Sequence, residues 1–113
     1  MAEELPELEA DDAHDAVVAG AFLLDVREPD EWAAGHAPGA VHVPMGQLGT
    51  RLGELPRDRR IVAICRTGAR SRVVGEALAG EGFDVVNAFG GLKAWEAFGF
   101  EVVDETGRPG VVV

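Results

Sequence analysis

Apolar residues fall along this chain in short runs separated by stretches of helical spacing, and the two patterns alternate from end to end. Phe22-Leu23-Leu24-Asp25-Val26 and Ile61-Val62-Ala63-Ile64 have the length and composition of buried strands. Val41-His42-Val43 predicts a minimal strand, and Phe83 to Ala88 a further one. Between them the spacing predicts helices. Ala13, Ala16 and Val17 recur at helical intervals behind Asp12, a suitable N-cap, and Gly20 supplies the stop. Pro29 opens a short helix, with Asp30 and Glu31 at its positive end and Gly35 and Pro38-Gly39 as breakers. Met45, Leu48, Leu52 and Leu55 mark a helix weakened by Gly46, Gly49 and Gly53. Val73, Val74, Ala77 and Leu78 define one face of a helix that begins near Ser71 and ends near Gly80 and Gly82. Leu92, Trp95 and Phe98 follow the break at Gly90-Gly91 on a last short helix.

Such alternation predicts an α/β fold, a mainly parallel sheet with helices on both faces. At 113 residues the chain has room for one domain and one core. The pattern divides it into a disordered acidic leader over 1–9, a domain over 10–104 and a C-terminal tail over 105–113. Val111 to Val113 could add a terminal strand to the tail. There is no internal repeat and no low-complexity segment.

The run from Ile61 delivers the only cysteine, Cys65, into the loop Arg66-Thr67-Gly68-Ala69-Arg70, and a helical pattern starts at Ser71. Strand, loop and helix in this order gather backbone N–H groups around one point. An isolated cysteine is by default a small buried hydrophobe. A core position, however, has no use for two arginines, a glycine and a helix start within six residues. The context points to a reactive thiolate, favoured by the helix N-terminus, by close backbone approach at Gly68 and by the charges of Arg66 and Arg70. A pocket of this kind also suits an anionic substrate held by backbone donors and guanidinium groups.

Charge changes the picture in one respect. The formal net charge of -10 argues against nucleic acid or an anionic membrane surface as a partner. No stretch approaches the roughly 20 apolar residues of a membrane span. Met1-Ala2-Glu3-Glu4 lacks the features of a signal peptide, so a cytoplasmic location is expected. With one cysteine, any partner thiol comes from another molecule. His14 and His42 show no ligand spacing, and with one cysteine there is no metal ligand set.

Several segments together resemble the rhodanese-like, single-domain sulfurtransferase family. Asp25-Val26-Arg27-Glu28, Glu31-Trp32 and Gly35-His36-Ala37-Pro38-Gly39-Ala40 resemble its first signature, and Val43-Pro44 its next strand end. Cys65-Arg66-Thr67-Gly68-Ala69-Arg70-Ser71 resembles its active loop, and Gly90-Gly91 with Trp95 and Gly99 its C-terminal signature. Ala37 stands where a larger aliphatic is commoner, and Phe100 where proline often follows the glycine. The resemblance implies a five-stranded parallel core. It also implies that Cys65 takes the outer sulfur of thiosulfate or a similar donor as a persulfide and passes it to a thiol or cyanide. In this scheme no metal or organic cofactor is needed, Arg66 to Ser71 hold the substrate, and Asp25 and Arg27 brace the loop, a surface ion pair being the alternative for these two. A sulfur-trafficking protein is a further expected partner, and a relay module loaded by it is the second reading. Related phosphatases and arsenate reductases place one more residue between cysteine and arginine than the four found here, and Ile64 stands where many carry histidine.

Three other features have structural expectations. His36 is expected to bond backbone in a turn. Trp32, Trp95 and the phenylalanines are expected to pack. Arg57, Arg59 and Arg60 form a basic run expected to be a solvated turn, with docking of an acidic partner as the alternative.

Overall fold

The computed structural model describes residues 4–113. Five strands, β1 (Glu7–Leu8), β2 (Phe22–Asp25), β3 (Val41–His42), β4 (Ile61–Ile64) and β5 (Val85–Ala88), form one sheet in the order β1-β5-β4-β2-β3. Every pairing is parallel. The helices are α1 (Ala10–Val18), α2 (Pro29–Ala34), α3 (Leu48–Arg51), α4 (Ala69–Gly80) and α5 (Gly91–Ala97).

Because side chains alternate along a strand, the central strands feed two cores. Leu23, Val62, Ile64, Val86 and Ala88 pack with Ala13 of α1 and with Leu92 and Trp95 of α5. Phe22, Leu24, Ile61, Ala63 and Val85 pack with Leu48 of α3 and with Val74 and Leu78 of α4. Strands β2, β4 and β5 are buried at every position, as expected for a parallel sheet covered on both sides.

The fifth strand is not where the sequence pattern puts it. Of the expected leader, residues 1–3 lie outside the described residues, and the remainder is ordered. Leu5 is buried in the α4-side core, and Glu7–Leu8 pair with Asn87 and Ala88 of β5. A two-residue strand carries no periodicity to read; its pairing is set by the open edge of β5. Helix α1 accordingly starts earlier than expected, with Glu9 as N-cap and Asp11 and Asp12 in its first turn.

The tail forms no terminal strand at 111–113. Its backbone instead bridges back, with the Val111 N–H donating to Ala34 O and the Gly110 N–H to Val102 O. Val112 is buried beside Trp95 and Val102 in the α1/α5 core. Gly35 leaves no room for a side chain where the Val111 backbone passes.

At the opposite end of the sheet from Cys65, the basic run is exposed and makes a few surface contacts. The Arg57 guanidinium lies 3.9 Å from the Phe83 ring centroid and bonds Glu81 O, and Arg59 covers Phe22 and bonds Gly20 O. Arg60 pairs with Asp84. Residues 57–60 are exposed, as a solvated turn requires, and the Arg57 and Arg59 guanidinium groups in addition lie over aromatic rings at the amino ends of the strands.

Candidate active site

Strand β4 ends at Ile64, and α4 begins at Ala69, so Cys65 sits on the carboxyl edge of the sheet under a helix N-terminus. From β2 the chain turns outward to β3, and from β4 it turns the other way to β5. The crevice between these two connections is where parallel sheets gather function. Gly68 is the N-cap of α4 with φ +108°, a conformation that a side chain resists, and this turn folds the loop back over the sulfur.

Three groups able to donate converge on Cys65 Sγ. The Gly68 N–H lies at 3.1 Å, the Ser71 N–H at 3.4 Å and the Ser71 hydroxyl at 3.3 Å. Burial pushes the Cys65 thiol up, while hydrogen bonds from the Ser71 hydroxyl and from the Ser71, Gly68 and Thr67 N–H groups push it down. The net result lies below the ordinary thiol value. Cys65 itself is only 1% exposed, whereas Arg66, Thr67 and Ala69 face solvent.

The arginines do less for the sulfur than the sequence suggests. Arg70 makes a two-point pair with Glu31 of α2, at 2.7 and 2.8 Å. Its pKa rises chiefly through this bond, with a smaller contribution from the Cys65 charge. Glu31 is held down at about 2 by the same bond, against the opposing effect of burial. Arg66 points away, its Nε bonding Val113 O at 3.0 Å. The donors around Sγ are therefore backbone and hydroxyl groups rather than guanidinium groups.

Asp25 and Arg27 are not a surface pair: both are fully buried. Arg27 Nε and Nη2 donate to the Asp25 carboxylate at 2.8 to 3.1 Å, and Nη2 also donates to Gly35 O at the end of α2. The pair thus anchors the helix that carries Glu31 and makes no direct bond to the 65–71 loop. Glu28 and Glu31 close a capping box at the start of that helix. His36 Nδ1 lies 2.8 Å from Trp32 O and its ring stacks on Trp32, as the expectation of a backbone-bonded turn histidine requires. His42 Nε2 meets Arg27 O at 2.7 Å.

Two contributors escaped the sequence reading. One is Asn87 of β5, buried beside Ser71. Its Oδ1 lies 2.6 Å from Ser71 Oγ, and its Nδ2 donates to Gly68 O and to Glu7 Oε2. A polar residue within an otherwise apolar strand was the available signal. The other is the N-terminus of α5. The Leu92 and Lys93 N–H groups donate to Cys65 O and Arg66 O at 2.9 and 3.0 Å. Gly91 permits this approach, because a Cβ there would stand 2.5 Å from both carbonyl oxygens.

Among the described residues the buried polar side chains are Asp25, Arg27, Ser71 and Asn87. All four lie at or near the carboxyl ends of the strands that flank Cys65. No three His, Cys, Asp or Glu side chains among the described residues are placed to hold a metal. No described helix is long and apolar enough to cross a membrane.

The fold and site together define a parallel α/β domain with a cysteine cradle between strand and helix. The Rhodanese-like domain family model matches residues 2–98, and the chain belongs to that family. It is 45% identical over 75 residues to the Bacillus subtilis protein named "Putative sulfurtransferase YtwF", covering 66% of this chain and 73% of that one. It is 38% identical over 74 residues to the B. subtilis "Putative sulfur carrier protein YrkF", covering 65% of this chain but 40% of the relative. The crystal structure of a rhodanese-related protein from Thermoplasma volcanium superposes with a TM-score of 0.83 at 32% identity, over 88% of this chain and 99% of that one.

Proposed function

We propose that the protein is a sulfurtransferase that works through a Cys65 persulfide. The observation that carries this reading is the convergence of two backbone N–H groups and the Ser71 hydroxyl on a buried sulfur at the start of a 12-residue helix. In the first half-reaction the Cys65 thiolate attacks the outer sulfur of thiosulfate or a similar donor. The bond between the two donor sulfurs breaks, sulfite leaves with the electron pair, and Cys65 carries a terminal sulfur with one negative charge. The Arg66 to Ser71 loop offers N–H groups to that charge. In the second half a thiolate or cyanide attacks the terminal sulfur and Cys65 departs as thiolate. Two displacements at one nucleophile give ping-pong kinetics. The reaction balances without a metal or organic cofactor, and one free thiol suits the reducing cytoplasm.

A second reading is a relay module that receives sulfur from a partner protein and turns over thiosulfate slowly. Glu31 favours it by occupying Arg70, the guanidinium nearest in sequence to the helix start and the natural clamp for a sulfonate. The likeness to a relative named as a sulfur carrier points the same way. Phosphoryl chemistry is disfavoured by the short loop, with four residues between Cys65 and Arg70.

Intact-protein mass after incubation with thiosulfate, and again after cyanide, tests the proposal. A gain of one sulfur atom that cyanide removes, absent from Cys65→Ser, is the expected result. No gain with thiosulfate, but gain from a persulfidated cysteine desulfurase, would select the relay. No gain from either donor, with Cys65 still readily alkylated, would reject sulfur transfer.

A further inference from the structure

The Ser71 hydroxyl has one hydrogen and three acceptors within reach: Asn87 Oδ1 at 2.6 Å, Cys65 Sγ at 3.3 Å and Gly68 O at 3.3 Å. Which one receives it is decided by the Asn87 amide. Asn87 Nδ2 lies 2.9 Å from Glu7 Oε2 and 3.1 Å from Gly68 O, and both of these oxygens can only accept. The amide nitrogen is therefore fixed toward them, and Oδ1 must face Ser71. The register supports this, since Glu7 of β1 stands directly opposite Asn87 of β5. Glu7 is held in turn by Arg72 Nη1 at 3.3 Å. With its hydrogen on the short bond to Asn87, the Ser71 oxygen turns a lone pair toward the sulfur. In that arrangement it accepts from a Cys65 S–H, and it donates to a thiolate only by giving up the bond to Asn87.

We propose that Asn87, locked by Glu7 and Gly68, is a positioning residue that competes with Cys65 for the Ser71 hydroxyl hydrogen and so sets the hydrogen-bonding state of the sulfur. When the sulfur is protonated, the chain runs from Cys65 S–H to Ser71 Oγ and from Ser71 O–H to Asn87 Oδ1, with every group satisfied. When it is ionised, the Ser71 hydrogen must swing to Sγ and leave the buried Asn87 Oδ1 without a donor. Ionisation therefore works against Asn87, whereas the Gly68 and Ser71 N–H groups favour it throughout. The edge strand thereby reaches the reactive sulfur through two side chains. This deepens the reading of Cys65 as the nucleophile and rests on it, but its test does not need sulfur transfer to occur.

The test is the pH profile of Cys65 alkylation by iodoacetamide in the full chain. The charged groups that face this cluster are Glu7 on β1, Arg70 and Arg72 on α4, Glu31 on α2 and Asp25 on β2. All are retained in the decisive comparison. Asn87→Ala should lower the alkylation midpoint by about one pH unit, because a hydroxyl bond to a charged sulfur becomes available. In a Ser71→Ala background, Asn87→Ala should leave the midpoint where it was, because there is no hydrogen to release. A rise or no change in the first comparison would overturn the proposal, as would an equal shift in both backgrounds, which loosening of the loop alone would produce. If Asn87→Ala does not fold, Glu7→Ala serves in its place. It frees the amide from its outer partner and should shift the midpoint down in the wild-type background by more than in Ser71→Ala. An equal Glu7→Ala shift in both would mean a charge effect only and would reject the positioning role. Loss of persulfide formation in the wild type with these shifts intact would reject the sulfurtransferase reading alone.

Discussion

The Glu31 carboxylate and the Arg70 guanidinium meet at 2.7 and 2.8 Å across 39 positions of sequence, joining the helix after β2 to the first turn of the helix after β4. The first prediction concerns pH. The Glu31 pKa is lowered in the folded protein from 4.5 to about 2. Its stabilising contribution is therefore present above about pH 4.5 and is lost as pH falls toward 2. Part of the pair is open to solvent, which screens the contribution. Thermal melts of Glu31→Gln should lie below wild type at pH 7 and converge on it as the pH approaches 2.

The same pair bears on the donor. Glu31→Gln removes one charge of the clamp and releases part of the Arg70 guanidinium. The KM for thiosulfate should fall by about twofold to fivefold, the scale of a partly exposed ion pair, with little change in the alkylation profile of Cys65. Steady-state kinetics with cyanide as acceptor measures it. An unchanged KM would mean that Arg70 does not contact the donor in either state.

Cys65→Ser should abolish persulfide formation and leave the fold in place. The oxygen is nearly isosteric, and the Gly68 and Ser71 N–H groups retain an acceptor. Circular dichroism of the variant should match wild type. Loss of the folded signal would make Cys65 a structural residue first.

Breaking the buried pair at β2 should be far more costly. Arg27 is fully buried, and its Nη1 already lacks a partner, so Asp25→Ala would leave an uncompensated charge in the core. The expected loss is about 3–5 kcal/mol, measured by denaturant unfolding. A loss below about 1 kcal/mol would show that the guanidinium finds another partner.

Gly91→Ala tests the closure of α5 over the loop. The new Cβ would collide with Cys65 O and Arg66 O, and the residue has φ +60°. Destabilisation of about 1–3 kcal/mol and a matching fall in sulfur-transfer rate are expected. Gly49→Ala lies in α3 with open space around it and should instead be neutral or stabilising.

What the sequence determines by itself is local. Four of the five strands, the helix starting after the Cys65 loop and the break at Gly90-Gly91 follow from apolar runs, helical spacing and glycine placement. Those signals act over a few residues and survive in any context. The Cys65 loop was legible for the same reason, because its strand end, small residues and helix start are contiguous.

The tertiary structure decided the rest. The fifth strand is Glu7–Leu8, too short to carry a pattern, and only the free edge of β5 gives it a place. The tail is ordered by Ala34, Val102 and Gly35, none of which announces the contact. Arg70 and Arg66 look alike as loop cations, yet one is claimed by Glu31 and the other by a carbonyl at the far end of the chain. Asn87 and Glu7 are separated by 80 positions and become neighbours of each other, linked to the sulfur through Ser71, by sheet register alone. Charge and hydrogen-bond partners depend on which strands lie side by side, and strand order is a property of the whole chain rather than of any stretch of it.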